Sequence, residues 1–175
     1  LKVIDSLKED EYVVSNITKK ERNKSSKPPF ITSTLQQDAS AKFNYNAKRT
    51  MLIAQKLYEG IDLGEERVGL ITYMRTDSVR LSDDFLNEAK KYIKKTFGDE
   101  YYKGYHVKNK KGQRIQDAHE AIRPTSLERT PAKMKKYLAA DELKIYTIIY
   151  NRALAAIMSD ALVEDTKVSI SAKNY

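Results

Sequence analysis

The feature that most constrains this chain is the placement of its β-like segments at the two ends, with helix-like periodicity filling most of what lies between. Glu11–Lys20 (EYVVSNITKK) is β-branched and partly alternating, with Tyr12, Val14, Asn16 and Thr18 on one face and Val13, Ser15 and Ile17 on the other, so it reads as a strand. Near the other end Thr166, Val168, Ile170 and Ala172 alternate with Lys167, Ser169, Ser171 and Lys173, the pattern of a half-buried antiparallel strand. The economical architecture is α+β and mainly α. A helical domain over residues 30–140 is inserted into a β-containing domain, to which 1–29 contribute a strand and linker and 141–175 a returning helix and strand.

The segments between carry start and stop signals. Glu21–Pro29 (ERNKSSKPP) has no apolar residue except its prolines, which favour extended backbone, as at a linker or domain crossing. A helix is expected from Thr32 or Ser33, with Gln36 completing a capping box. A second runs over about Asn46–Glu59, its apolar stripe Ala47, Met51, Ala54, Gln55 and Tyr58 with Leu52 and Leu57 alongside, and Gly60 closes it. Residues 60–68 form a polar loop. Phe85, Leu86, Ala89, Tyr92 and Ile93 recur at helical spacing before Gly98. Gln116–Ile122 reads as a helical turn that Pro124 ends, Thr130-Pro131 as an N-cap and first helical residue, and Asp141 as the cap of the longest helix, whose wide stripe predicts burial between two layers.

Composition narrows the function classes. The 175 residues include no cysteine and only His106 and His119 as histidines, which excludes disulfides, thiolate nucleophiles and cysteine zinc sites. No stretch approaches the roughly 20 apolar residues of a membrane span, and the N-terminus has no signal-peptide core, so a soluble cytoplasmic protein is expected. A start at Leu1 rather than Met and a stop within a strand-like pattern suggest a piece of a longer protein. The net charge of +8 favours a polyanionic partner, because cations on phosphates release counterions. Basic residues concentrate in 19–27 and, interleaved with three tyrosines, in 101–114; such loops suit a nucleic-acid surface, or are simply solvated.

One stretch carries chemistry. Gly69-Leu-Ile-Thr-Tyr73-Met-Arg75-Thr76-Asp77-Ser78 begins apolar and β-prone and ends with a phenol, a guanidinium, a carboxylate and hydroxyls, as a short buried strand entering a polar loop does. Strand alternation puts Tyr73 and Arg75 on one face. A phenol titrates near 10, so it attacks at neutral pH only if a cation favours the phenolate or a base takes its proton. Arg75 is the available cation, and its fork also binds phosphate at two points. Thr76, Asp77 and Ser78 could orient the pair. The same residues also suit a plain structural role, with the ring packed and the loop capping the next helix. His119 with Glu120 and Asp117 is open to the same two readings, acid–base unit or solvated helix face, and is weak as a metal site.

Three phrases together are far more specific. Pro29–Ser40 (PFITSTLQQDAS), Leu70–Ser78 (LITYMRTDS) and Ala118–Thr125 (AHEAIRPT), in that order, closely resemble the central region of bacterial type IA DNA topoisomerases, from about residue 28 to 170. The resemblance implies that Tyr73 is the nucleophile that breaks single-stranded DNA through a 5′-phosphotyrosyl link, leaving a free 3′ hydroxyl, and that Arg75 stabilises the scissile phosphate. It implies DNA contacts by Arg75, Thr76, Asp77, His119 and Arg123, and relaxation of negative supercoils without ATP in the nucleoid. It further implies a winged-helix-like tyrosine domain mounted on a β-rich arch. Mg2+ is expected to be held by an acidic N-terminal domain of the same protein that nothing here matches, with further C-terminal regions, so the chain alone should bind DNA but cleave poorly. The residues by themselves also allow a non-catalytic, basic single-stranded DNA-binding module.

Overall fold

In chain order the described residues form strand β1 (Tyr12–Lys24), helices α1 (Thr32–Phe43) and α2 (Ala47–Glu59), a short hairpin of β2 (Ile61–Asp62) and β3 (Arg67–Val68), and helix α3 (Asp83–Thr96). A 3₁₀ turn (Asp99–Tyr101), the single turn α4 (Pro131–Met134), the long helix α5 (Ala140–Ile157) and strand β4 (Ala161–Ala172) follow. This computed structural model describes residues 11–105 and 119–172. The chain divides into two units, one built from the segments up to Ser25 and from Asp160 onward, the other from Ser26–Ser159. The helix expected to return to the β-containing part, α5, thus belongs by its contacts to the helical unit.

The first unit is an antiparallel ribbon of β1 and β4, in register from Tyr12 opposite Ala172 to Lys24 opposite Ala161, with a bulge at Ser15. A bulge adds one residue to one strand and so reverses its alternation beyond that point. Ile17, expected on the face opposite Tyr12 and Val14, consequently joins them: Val14 lies opposite Ile170 and Ile17 opposite Val168. The strand also continues through Glu21–Lys24, read from sequence as linker, where Arg22 pairs with Asp165 and Lys19 with Glu164 across the ladder. These pairs are exposed and screened by solvent, so they contribute little to stability. Four of the cations in the basic 19–27 segment therefore lie on a strand rather than on a loop.

The second unit buries its core around α5, of which Ile145, Tyr146, Ile149 and Ile157 are fully buried. The wide stripe means what it suggested, since Ile148, Leu154 and Ala156 are buried too. Tyr146 and Tyr150 keep their rings inside because each hydroxyl donates to a loop carbonyl, of Arg129 at 2.6 Å and Leu127 at 2.7 Å. Burial pushes both phenols far up from their ordinary range, as expected where a charged form would lose its water. Asp141 does not cap α5: Glu142 accepts from the Ala139 amide at 3.0 Å, while Asp141 takes the Tyr45 hydroxyl and Arg49 guanidinium.

The local signals hold at α2 and α3, where Asn46 accepts from the Arg49 amide and Ser82 from the Phe85 amide. At α1 the expected Ser33–Gln36 box is replaced by Thr34, whose hydroxyl accepts from the Ile31 amide at 3.0 Å. Helix α2 is rotated from its expected stripe. Its buried face is Thr50, Ile53, Ala54 and Leu57, while Leu52 and Tyr58 are 54% and 42% exposed. Residues 60–68 are a small hairpin rather than a plain loop. The 119–122 segment is not helical: Ile122 forms a bridge with Phe30, and the amides of Ala121 and Ile122 donate to Arg80 and Phe30. Asp117 and most of the basic 101–114 segment lie outside the described residues. Of that segment's tyrosines, Tyr105 is turned inward with its hydroxyl on the Val79 carbonyl, and burial raises it to about 12.

Candidate nucleic-acid interface

The segment carrying Tyr73 is extended without belonging to a multi-strand sheet. Leu70 and Ile71 are buried, and the chain pairs on both sides: the Leu70 amide donates to Leu57 at the end of α2, and the Thr72 and Thr125 amides exchange with Arg123 and Leu70. The segment can approach α2 this closely because residue 69 is glycine. A Cβ there would meet the Tyr58 carbonyl oxygen at 2.6 Å, which neither backbone could relieve cheaply. We expect Gly69→Ala to cost about 1–2 kcal/mol, as overpacking does, read as a lowered midpoint in urea. A variant as stable as the parent would show that the two backbones are not held together.

Beyond Thr72 the side chains alternate. Tyr73, Arg75 and Asp77 are exposed, while Met74 and Thr76 between them are buried, so the phenol and the guanidinium both face solvent as alternation predicts. The Tyr73 ring, 41% exposed, packs edge-on against Tyr58 with centroids 5.3 Å apart, the geometry aromatic quadrupoles favour. The Arg75 backbone is held from both sides by Thr32, the first residue of α1. The Thr32 amide donates to the Thr76 carbonyl, its hydroxyl accepts from the Thr76 amide at 2.9 Å, and the same hydroxyl reaches the Met74 carbonyl at 2.8 Å. Thr76 is buried by this arrangement and its own hydroxyl accepts from the Ser78 amide. Ser78 in turn accepts from the Arg80 amide, so it shapes the loop, and Ser82 caps α3.

The three sequence phrases converge here. Thr32, Ser33 and Gln36 from the first, Arg75, Thr76 and Asp77 from the second, and His119 from the third line one open groove of about 500 Å³. A guanidinium, an imidazole, hydroxyls and an amide around an open groove suit a phosphate ester bound from solvent, with the Asp77 carboxylate also among them. Among the described residues no group of three or more His, Cys, Asp or Glu side chains could hold a metal ion. The groove itself carries one carboxylate, Asp77.

Arg123 is not in that groove. Its side chain is 12% exposed, and its guanidinium donates to Glu120 at 2.7 Å, to the Pro124 carbonyl at 3.0 Å and to Ser82 at 3.3 Å, while lying 4.3 Å over the Phe85 ring. Burial by itself would raise the Glu120 carboxyl. The hydrogen bond and charge of Arg123, with help from Ser82 and Arg80, outweigh it and hold Glu120 below the ordinary glutamate range. The pair ties the 119–124 segment to the start of α3, next in sequence to the exposed His119. Sequence reasoning missed Thr32 and Gln36 as groove residues, although both lie in the first phrase; a threonine opening a helix looks like an ordinary terminus until its distant partner is known.

No helix among the described residues is long and apolar enough to cross a membrane. The family model for DNA topoisomerase matches residues 1–175. Among solved structures, full-length topoisomerase I from Thermotoga maritima is similar, with a TM-score of 0.80 and 38% identity over 99% of this chain. The chain spans 27% of that protein's length. The resemblance carried by the three phrases is thus upheld over the whole chain, in a mixed helix and strand fold: the chain belongs to the bacterial type IA DNA topoisomerase family.

Proposed function

We propose that this chain supplies the tyrosine side of the strand-breaking centre of a DNA topoisomerase, acting on single-stranded DNA in the cytoplasm. The observation that carries the reading is the convergence of Arg75, Thr76, Asp77 and His119 on one open groove, with Tyr73, which does not line that groove, facing solvent two residues before Arg75. The Tyr73 oxygen attacks phosphorus and the bond from phosphorus to the 3′ oxygen breaks. The phenolic proton ends on the departing 3′ hydroxyl, and the 5′ side stays joined to the protein. Reversal by the same 3′ hydroxyl reseals the strand, so no ATP is required and negative supercoils relax while the gap is open. Arg75 binds a non-bridging phosphate oxygen, and charge spread onto that oxygen in the transition state strengthens the contact.

In this reading the helical unit is the winged-helix-like tyrosine domain and the ribbon is part of a β-rich arch. Magnesium is assigned in this reading to an acidic region elsewhere in the parent protein, since the groove offers a single carboxylate, Asp77. Arg123 acts as a brace for the segment bearing His119 rather than as a phosphate contact. The chain alone binds single-stranded DNA and forms little covalent adduct.

Anisotropy of a labelled single-stranded oligonucleotide across a salt series tests the binding. Affinity is expected to fall steeply with salt, and Arg75→Ala to weaken it about 10-fold and to flatten the log–log slope by about 0.7. Salt-independent binding, or an Arg75→Ala variant that binds like the parent, would overturn the assignment.

A further inference from the structure

We infer that the outward face of α2 is a second nucleotide subsite, which takes the stretch of single-stranded DNA adjoining the phosphate held by Arg75. The inference rests on the strand-breaking reading above. Residues 48, 51, 52, 55 and 58 recur at helical spacing on one side of α2, next to the buried face of Thr50, Ile53, Ala54 and Leu57, as i, i+3, i+4 and i+7 positions must. That side is not composed like an ordinary solvated helix face. Leu52 is 54% exposed and Met51 only partly covered, with Lys48 before them and Gln55 and Tyr58 after.

Together with Gln36 and Arg75, four of these residues, Lys48, Met51, Leu52 and Gln55, line a groove of about 300 Å³ between α1 and α2. Arg75 and Gln36 also line the first groove. The two grooves thus share Arg75 and Gln36 in their walls, so a strand whose phosphate lies on Arg75 meets the α2 groove on the other side of the same side chain. At its far end the same helix carries Tyr58, edge-on against Tyr73, so one helix flanks both the phenol and the guanidinium.

The occupant follows from the lining. Lys48 and Arg75 supply two cations and no acidic residue lines the groove, which favours a polyanion over a peptide or a second copy of this basic chain. The apolar floor of Met51 and Leu52 offers a surface for a base, and the Gln55 amide can reach a base edge while holding Glu59 at 2.6 Å. Cations tracking the backbone beside a flat apolar contact for bases is how single strands are held without strict sequence readout. Lys48 binds the neighbouring phosphate and Leu52 the base between it and the phosphate on Arg75.

The test is a binding series with oligothymidylates of two to eight nucleotides, comparing the parent chain with Lys48→Ala, Leu52→Ala and Arg75→Ala. The parent should gain affinity with each nucleotide that reaches α2. Lys48→Ala and Leu52→Ala should leave the shortest ligands unchanged and weaken the longer ones about 10-fold, which flattens the length dependence. Arg75→Ala should weaken every length. If Arg75→Ala weakens binding while both α2 variants match the parent at all lengths, the subsite is refuted and the strand-breaking reading stands. If Arg75→Ala has no effect at any length, that reading fails and the subsite with it. Equal weakening of all lengths by Leu52→Ala marks a purely structural role and also refutes the subsite. Gln55→Ala, on the same face but with no share in the core, serves as the variant that must fold.

Discussion

Tyr73→Phe in the parent topoisomerase should abolish covalent capture of DNA while leaving the fold in place. The change removes one oxygen and keeps the ring. That oxygen is the proposed nucleophile, and an enzyme that loses its nucleophile falls by about 10⁴-fold or more. The ring's edge contact with Tyr58 survives, and a side chain 41% exposed contributes little core, so stability should stay within about 0.5 kcal/mol of the parent. A 3′-end-labelled oligonucleotide is the right substrate, because a 5′-phosphotyrosine retains the 3′ fragment on the protein. Labelled protein on a denaturing gel from the Phe variant would assign the nucleophile elsewhere, and a change in urea midpoint would show that the hydroxyl had a structural task.

Arg123→Ala should cost about 1–3 kcal/mol, the penalty of leaving a partly buried, hydrogen-bonded charge without its main partner. The loss is not only of a pair. Glu120, with 21% of its side chain exposed, would remain as a carboxylate whose burial raises its pKa and whose main compensating partner is gone. The sign of the pH dependence follows. In the parent, Glu120 lies below its ordinary value, so its stabilising contribution is present above about 4.5 and lost as pH falls through the depressed value. In the variant, burial still raises the Glu120 carboxyl while only Ser82 and Arg80 remain to lower it, so less stability depends on its being charged. The gap between the two proteins should narrow as pH falls from 7 to below about 4.5, by urea unfolding. A gap that stays constant over that range would mean Arg123 acts through its contact with Phe85 alone.

How much of this could be read from the residues varies with the range of the interaction. The caps of α2 and α3 are local, since Asn46 and Ser82 find their partners three residues on, and the alternation of Tyr73, Met74, Arg75 and Thr76 needs only local backbone. The face of α2 was misread because the stripe of Met51, Gln55 and Tyr58 has almost the same composition as the buried one. Only the packing of α1 and α5 against Ile53, Ala54 and Leu57 decides between them. The bulge at Ser15 depends on register with β4, some 150 residues away, and reverses a face that simple alternation assigns the other way. Arg123 illustrates the same limit at the site. The phrase that carries it shows nothing of its engagement by Glu120, Ser82 and Phe85, which exists only once α3 is in place.

The clamp that Thr32 places on residues 74–76 makes the Thr76 amide a reporter. Its proton is held by a side-chain hydroxyl from another helix, not by a ladder of neighbouring amides, so its exchange with solvent measures one local opening. That opening is the departure of α1 from the Arg75 backbone. The protection of a single N–H thus records how much of the time the arginine is aimed before any DNA arrives. A rise in that protection on adding an oligonucleotide would express, in rate units, how much the bound strand tightens the site.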